Sequence, residues 1–124
     1  MAEGFSQSVQ RPEEEHGLVR TTITNFQGQQ VRLTARQWRH ILNAHPDMVS
    51  MEPAIRETLE SPEEVRRSRD DPNTVKLYYR RYPAPPSSKM VCVIVKSLES
   101  DAFILTAYQT YKVIEGELIW RKEP

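Results

Sequence analysis

Residues 102–110 read Ala102-Phe103-Ile104-Leu105-Thr106-Ala107-Tyr108-Gln109-Thr110, an apolar run that ends in a ladder of hydroxyls. The first four residues are typical of a strand that enters a core. Thr106, Tyr108 and Thr110 follow at every second position, and alternate residues of a strand share one face. The stretch therefore predicts a rigid strand that presents three hydroxyls on one side, a suitable base for a polar site. The alternative is an exposed sheet face on which Thr and Tyr serve only as strand formers.

Strand-like segments also flank this run. Residues 90–95 are apolar at both parities, which predicts a central strand buried on both faces. Glu99-Ser100-Asp101 is a short turn, so this strand and the run after it are expected to form a hairpin. Residues 75–80 alternate in character, which predicts a half-buried strand. An edge strand is expected over residues 113–120, with Gly116 as a bend.

The N-terminal half carries the signals of a first helix. Thr34 and Gln37 have the spacing of a capping box. Pro46 disfavours helix at the residue before it, so the helix should end near His45. One face of this helix is expected to meet the sheet, because four residues follow the i, i+3, i+4, i+7 spacing: Trp38, Ile41, Leu42 and His45.

Further elements are expected on both sides of that helix. Residues 19–26 and 31–33 predict a hairpin or two short strands before it. Pro53 suits the first turn of a second helix, and Ser61-Pro62-Glu63-Glu64 predicts a third helix of one or two turns. Two or three helices followed by three or four antiparallel strands indicate an α+β domain.

Composition limits the class of protein. A chain of 124 residues is expected to form one domain over residues 18–124, after a disordered tail over residues 1–17 that is rich in Ser, Gln, Glu and Gly. The single Cys92 excludes an internal disulfide and a cysteine-rich zinc site, and it is expected to be buried and inert. Neither a signal peptide nor a membrane span is visible, so a soluble, cytoplasmic protein is expected.

Charge is distributed unevenly although the net charge is zero. Residues 66–96 hold eight basic residues and only two acidic ones, a local field that can attract a polyanion. Strand parity predicts that one sheet face collects the following side chains if their strands are neighbours: Lys76, Tyr78, Arg80, Lys96, Thr106, Tyr108 and Thr110. Lys and Arg bind phosphate and stabilise its charge, and tyrosines stack on unpaired bases. The alternative is an ordinary solvated surface.

The histidines supply a candidate acid or base. His45 lies on the apolar stripe of the first helix and should point at the domain, whereas His40 lies off that stripe. Either can act near neutral pH. Their spacing of five residues is not the i, i+4 spacing of a zinc site, so no metal is expected. No Gly-rich phosphate loop or nucleotide-binding fingerprint is present, so no other cofactor is expected either. The alternative for His45 is a structural role near the helix C-terminus.

The stretch Trp38-Arg39-His40-Ile41-Leu42-Asn43-Ala44-His45-Pro46-Asp47-Met48 resembles the W-x-H-I-x-x-x-H-P-E segment of small bacterial and phage proteins. Residues 71–73, 77–82, 91–96 and 105–108 are similar to further segments of the same proteins. These proteins are identified as members of the phage Barnase–EndoU–Colicin–RelE-like nuclease superfamily. The resemblance covers residues 33–120, with Asp47 in place of the usual Glu. It implies an α+β domain in which N-terminal helices pack on a four-stranded antiparallel sheet, and metal-independent endoribonuclease activity, often in a toxin or effector.

These observations lead to a hypothesis of RNA cleavage by 2′-hydroxyl attack. The expected catalytic residues are His40 or His45 as base, Arg80 with Lys96 or Lys76 for the phosphoryl charge, and Thr106 and Tyr108 for positioning or protonation. The expected substrate-binding residues are Lys76, Tyr78, Arg81 and Thr110. RNA is the expected substrate, and an inhibitor or antitoxin protein is an expected partner. The alternatives are an inactive RNA- or protein-binding module of the same fold, and a structural protein that pairs through the edge near residues 118–120.

Overall fold

The computed structural model describes residues 18–83, 88–112 and 116–123, which form two α-helices, one 3-10 turn and seven strands. In chain order these are β1 (Val19–Thr24), β2 (Gln30–Thr34), α1 (Ala35–Ala44), the 3-10 turn Pro46–Met48, α2 (Glu52–Glu60), β3 (Glu64–Arg67), β4 (Val75–Arg81), β5 (Met90–Leu98), β6 (Asp101–Thr110) and β7 (Glu117–Arg121). Neither helix is long and apolar enough to cross a membrane, as far as the described residues go.

All seven described strands belong to one mixed sheet in the order β1-β2-β6-β5-β4-β3-β7. The β2–β6 pair is parallel and meets only at Arg32 and Phe103, whereas every other pair is antiparallel. The expected four-stranded antiparallel sheet with two or three N-terminal helices is therefore wrong. The N-terminal hairpin and the short strands β3 and β7 join the C-terminal strands through pairings between distant parts of the chain, which local alternation does not reveal.

The third helix predicted at Ser61 is also wrong. Residues 64–67 form β3, which lies between β4 and β7. The backbone continues this pairing just before the strand, because Glu63 N–H donates to Tyr79 O and Lys122 N–H donates to Glu63 O. Hydrogen bonds on both sides thus satisfy the backbone better than a helix of one or two turns could, and tertiary pairing overrides the local helix signal.

Helix α1 begins and ends where its sequence predicts. The Thr34 hydroxyl accepts from the backbone N–H of Gln37 at 3.1 Å, and His45 follows the last helical residue. The reciprocal half of the capping box is absent, because the Gln37 amide donates instead to Leu105 O at 2.8 Å. The predicted second helix is confirmed as α2, with Pro53 in its first turn.

The sheet buries side chains on both faces. On the side that carries the helices, here called the helix face, Val91, Val93 and Val95 of β5 pack with residues of α1 and α2. On the opposite side, here called the far face, Leu77, Tyr79 and Cys92 form a second buried cluster. The prediction that β5 is buried on both faces is confirmed, and so is the hairpin that it forms with β6.

Some predictions concern residues outside the described part of the chain. The expected disordered tail over residues 1–17 is one of them, and residues 113–115 at the start of the expected edge strand are another. The edge strand expected near the C-terminus is seen over residues 117–121, where β7 pairs with β3. Gly116 precedes this strand with a φ of +93°, in keeping with the expected bend.

Candidate functional site

Strand register arranges the far-face side chains in rows. Four rows follow from the pairings: Glu64, Tyr79, Cys92 and Tyr108; Arg66, Leu77, Ile94 and Thr106; Arg81, Met90 and Thr110; Val75, Lys96 and Phe103. The prediction that Thr106, Tyr108 and Thr110 share one face is confirmed. All three are half-buried. The hydroxyl ladder of β6 therefore borders the far face, with a buried apolar cluster beside it.

Helix α1 brings His45 to this ladder. Beyond the Arg32–Phe103 pair, β2 no longer accompanies β6, and α1 lies along the vacated edge. Hydrogen bonds to β6 fix the start of the helix and the 3-10 turn that follows it: Gln37 Nε2 donates to Leu105 O at 2.8 Å, and Gln109 Nε2 donates to Asp47 Oδ2 at 2.8 Å. The imidazole of His45 consequently packs against the Tyr108 ring, with 5.5 Å between the ring centroids.

His40 lies elsewhere on the same helix. It is two residues after the buried Trp38, which places it about 200° around the helix axis from that core-facing residue. Its side chain is exposed. The structure therefore brings His45, and not His40, to the hydroxyl ladder, and separates the two candidate bases that the sequence left open.

Three of the expected site residues lie on the helix face instead. Lys76, Tyr78 and Arg80 pair with Val95, Val93 and Val91, so the thickness of the sheet separates them from Lys96 and Thr106. Alternation along β4 distinguishes two faces, but it does not say which face the helices cover.

Each of these three side chains has surroundings of its own. Arg80 donates to Ser61 O at 2.7 Å and lies 3.6 Å from a Glu57 carboxylate oxygen. Tyr78 is fully buried, and its hydroxyl accepts from Asn25 Nδ2 at 3.1 Å. Burial raises the pKa of this phenol, and the Asn25 hydrogen bond offsets part of the rise. Lys76 lines a small cavity beside Phe26 and Trp120. The structure gives these residues local contacts away from the hydroxyl ladder.

Glutamates from outside the basic segment offset much of its charge. Arg66 Nε lies 2.6 Å from Glu64 Oε2, Arg81 Nε lies 3.5 Å from Glu63 Oε1, and Arg67 Nη1 lies 3.8 Å from Glu117 Oε1, with Arg80 paired to Glu57 as described. Lys96 is different, because it forms no ion pair within the described residues. It is half-buried on the far face, and so it is available for a ligand near the ladder.

The middle of the Tyr108 row is closed to solvent. Cys92 and Tyr79 are both 0% exposed, which confirms the expected burial of the thiol. Among the described residues, none forms a hydrogen bond of good geometry with the Tyr79 hydroxyl, although Cys92 and Tyr108 lie close to it. Burial first, and then these two neighbours, raise the pKa of Tyr79 far above its usual range. The accessible chemistry of this row is therefore confined to its Tyr108–His45 end.

A pocket at the β2–β6 divergence was not foreseen from the sequence. It has a volume of about 330 Å³ and is lined by Arg32, Thr34, Gln37, Phe103 and Leu105. Its origin is the single parallel pair, after which β2 turns into α1 while β6 continues. A register shift in β6 near Leu105 accompanies this divergence. No local sequence pattern predicts the pocket, because its lining comes from two segments about 70 residues apart in the chain.

Other features of the described residues do not point to the same chemistry. No three His, Cys, Asp or Glu side chains lie together as a metal site within that part of the chain. A roomier cleft, of about 530 Å³, follows the outer side of α2, but three of its five lining residues are glutamates. That lining disfavours a phosphate, so the cleft is not a candidate for RNA binding.

Comparisons with protein-family models, with curated proteins and with solved structures found no match. The contact between His45 and Tyr108 is therefore the feature of the described residues that bears most directly on function.

Proposed function

We propose that the edge of the far face formed by His45, Lys96, Thr106 and Tyr108, here called the β6-edge site, binds and cleaves RNA without a metal ion. The observation that carries this proposal is the packing of the His45 imidazole against the Tyr108 ring. Imidazole is the side chain best suited to move protons near neutral pH. Here it is held at the end of a helix beside a strand that offers hydroxyl groups, which is a favourable arrangement for proton transfer to and from a substrate.

The reaction requires one base, one acid and a binding site for a phosphate. His45 accepts the proton of a ribose 2′-hydroxyl, and that oxygen attacks the adjacent phosphorus. The bond from phosphorus to the 5′-oxygen then breaks, and Tyr108 supplies a proton to the departing oxygen. The products are a 2′,3′-cyclic phosphate and a 5′-hydroxyl. Proton exchange with solvent then removes the proton from His45 and restores the proton of Tyr108, which closes the cycle.

Lys96 and Thr106 are proposed to hold the phosphate. A cation and a hydroxyl donor stabilise the negative charge that grows on the phosphoryl oxygens in the transition state. Lys96 and Ile94 are alternate residues of β5 on the far face, and Thr106 is the partner of Ile94 on β6. Arg80 has no part in this mechanism, because it is bound to Ser61 and Glu57 on the helix face.

The resemblance to the nuclease superfamily supports the same residues. His45 lies in the similar segment 38–48, and Thr106 and Tyr108 lie in the similar segment 105–108. We extend the proposal to the biological role that this resemblance implies, a cytoplasmic toxin or effector whose activity an inhibitor protein controls.

The test is incubation of the purified protein with mixed RNA and single-stranded DNA, with and without EDTA. We expect cleavage of RNA alone, because the reaction needs the 2′-hydroxyl, with cyclic-phosphate ends and no effect of EDTA. His45→Ala should lower the cleavage rate by about 10²- to 10⁴-fold, the usual contribution of a general base. His40→Ala is the matched control, since it removes the same side chain from the exposed side of the same helix, and it should leave the rate unchanged.

Two outcomes would contradict the proposal. If the His45→Ala variant cleaves RNA at the normal rate, the base is not His45. If the wild-type protein binds RNA in a salt-dependent manner but leaves it intact, the domain is a binding module.

A further inference from the structure

We infer that the pocket at the β2–β6 divergence holds an unpaired nucleobase next to the cleaved phosphate, and so determines where RNA is cut. This inference rests on the proposed function. The pocket is lined by Arg32, Thr34, Gln37, Phe103 and Leu105 and has a volume of about 330 Å³. That volume lies at the small end of the range seen for small-molecule sites.

Two walls of the pocket are flat. The Arg32 guanidinium lies over the Phe103 ring as a cation–π pair, with 5.8 Å between the guanidinium carbon and the ring centroid, so a base would stack against this pair and not between its members. Asp101 fixes the guanidinium through two hydrogen bonds, of 3.1 Å from Nε and 2.7 Å from Nη2. Aromatic rings and guanidinium planes are the surfaces on which proteins stack unpaired bases. A braced Arg beside a Phe therefore favours a planar, aromatic ligand.

Polar groups in the same pocket can recognise the edge of a base. Gln37 uses Nε2 to bind Leu105 O, and its Oε1 has no partner among the described residues. The Thr34 hydroxyl accepts from Gln37 N–H and keeps its own proton for donation. One acceptor and one donor beside a stacking surface match the mixed hydrogen-bonding edges of nucleobases.

The pocket and the β6-edge site are neighbours along one strand. Leu105 lines the pocket and Thr106 follows it directly. Tyr108 is three residues after Leu105, about 10 Å along β6. Helix α1 borders both, with Gln37 at its first turn and His45 at its end. A strand of RNA whose phosphate lies at Thr106 can therefore place an adjacent base in the pocket.

The experiment measures binding and cleavage separately. A fluorescent hexanucleotide of 2′-O-methyl RNA cannot react, because its 2′-oxygen is capped, and fluorescence anisotropy reports its affinity. We expect Phe103→Ala and Phe103→Leu each to weaken binding by about tenfold, since stacking on an aromatic side chain is lost while the apolar bulk of Leu is kept. Phe103→Tyr, which keeps an aromatic ring at this position, should bind about as tightly as the wild type. Tyr111→Ala is the control, because Tyr111 is an aromatic residue that is 69% exposed and lies just past the other end of β6, away from the pocket.

An abasic site moved along the hexanucleotide identifies the base that enters the pocket. One abasic position should weaken binding to the wild-type protein and have no further effect on Phe103→Leu. In cleavable RNA, the same abasic position should shift or suppress the cut. The inference is overturned if Phe103→Leu binds as tightly as the wild type, or if no abasic position affects binding.

The two proposals fail in different ways. Cleavage of RNA that is indifferent to Phe103 and to every abasic position would overturn the base pocket and leave the β6-edge site standing. Binding with the expected Phe103 and abasic effects, but with no cleavage of ordinary RNA, would support the pocket and overturn the catalytic proposal.

Discussion

Two adjacent tyrosines of β4 have opposite environments, although both are fully buried. Tyr78 points to the helix face and accepts a hydrogen bond from Asn25, whereas the Tyr79 hydroxyl on the far face has no hydrogen bond of good geometry within the described part of the chain. A buried polar group that loses its partner costs about 1–3 kcal/mol, and a hydroxyl that had none costs nothing to remove. The pair therefore separates the contribution of a buried hydrogen bond from that of a buried ring.

We expect Tyr78→Phe to lower the free energy of unfolding by about 1–3 kcal/mol, because Asn25 Nδ2 loses its shorter hydrogen bond. Tyr79→Phe should leave that free energy unchanged or raise it. Urea denaturation of both variants measures the difference. Equal losses in the two variants would show that the Tyr79 hydroxyl is satisfied in solution and would contradict this account.

At the scale of elements, the start of β7 depends on a close approach of two backbones. A Cβ on Gly116 would lie 2.5 Å from Arg67 O and 3.1 Å from Arg66 Cβ. Arg66 Nη1 also donates to Gly116 O at 2.9 Å. Gly28, in the turn between β1 and β2, has a similar φ of +88° but open space around the same position. The two glycines thus share a left-handed backbone and differ in crowding.

Gly28→Ala should cost about 1–2 kcal/mol of unfolding free energy, the penalty of a left-handed conformation for a residue with a Cβ. Gly116→Ala should cost more than that, because the added methyl group also clashes with the β3 backbone. Chemical denaturation at matched conditions gives both values. The explanation fails if Gly116→Ala is no more destabilising than Gly28→Ala.

Elements with short-range signals could be predicted from the sequence, and elements made by distant pairings could not. Helix α1 has its cap, its apolar stripe and its terminating Pro46 within a dozen residues, and the β5–β6 hairpin has its turn at residues 99–100. In contrast, β3 is a strand because β4 and β7 lie on either side of it. Its local sequence favours a helix start, and its neighbours overrule that preference.

The candidate site was predicted in part for the same reason. Alternation along β6 correctly placed Thr106 and Tyr108 on one face, and the helix stripe directed His45 towards the domain. Alternation along β4 could not show that Arg80 lies on the helix face, opposite to Thr106 and Tyr108, because both faces of β4 are buried. The pocket between Arg32 and Phe103 depends on a parallel pairing that no local pattern encodes.

At the scale of the whole molecule, the buried tyrosines make stability depend on alkaline pH. The pKa values of Tyr78 and Tyr79 are raised in the folded protein, chiefly by burial. In the unfolded chain both phenols titrate near pH 10. The unfolded state therefore releases these protons first as the pH rises, and the stability that depends on them is complete below pH 10 and is lost above it.

The free energy of unfolding, measured by urea denaturation from pH 8 to pH 11, should fall steeply above pH 10. Tyr79→Phe should reduce that slope by up to about 1.4 kcal/mol per pH unit, the contribution of one proton. Tyr111→Phe, which changes an exposed tyrosine, serves as the control and should retain the wild-type slope. A Tyr79→Phe slope equal to that of the wild type would contradict the assignment.

The parallel contact between β2 and β6 also has a consequence for the newly made chain. Arg32 leaves the ribosome about 70 residues before its partner Phe103. At the usual 5–20 residues per second, the β1–β2 hairpin waits roughly 4–14 s for its neighbour in the sheet. During that interval Val31 and Leu33, which end in the core, have no β6 to cover them. The N-terminal hairpin therefore lacks its neighbouring strand during synthesis, and a chaperone that binds apolar strands would protect it over that interval.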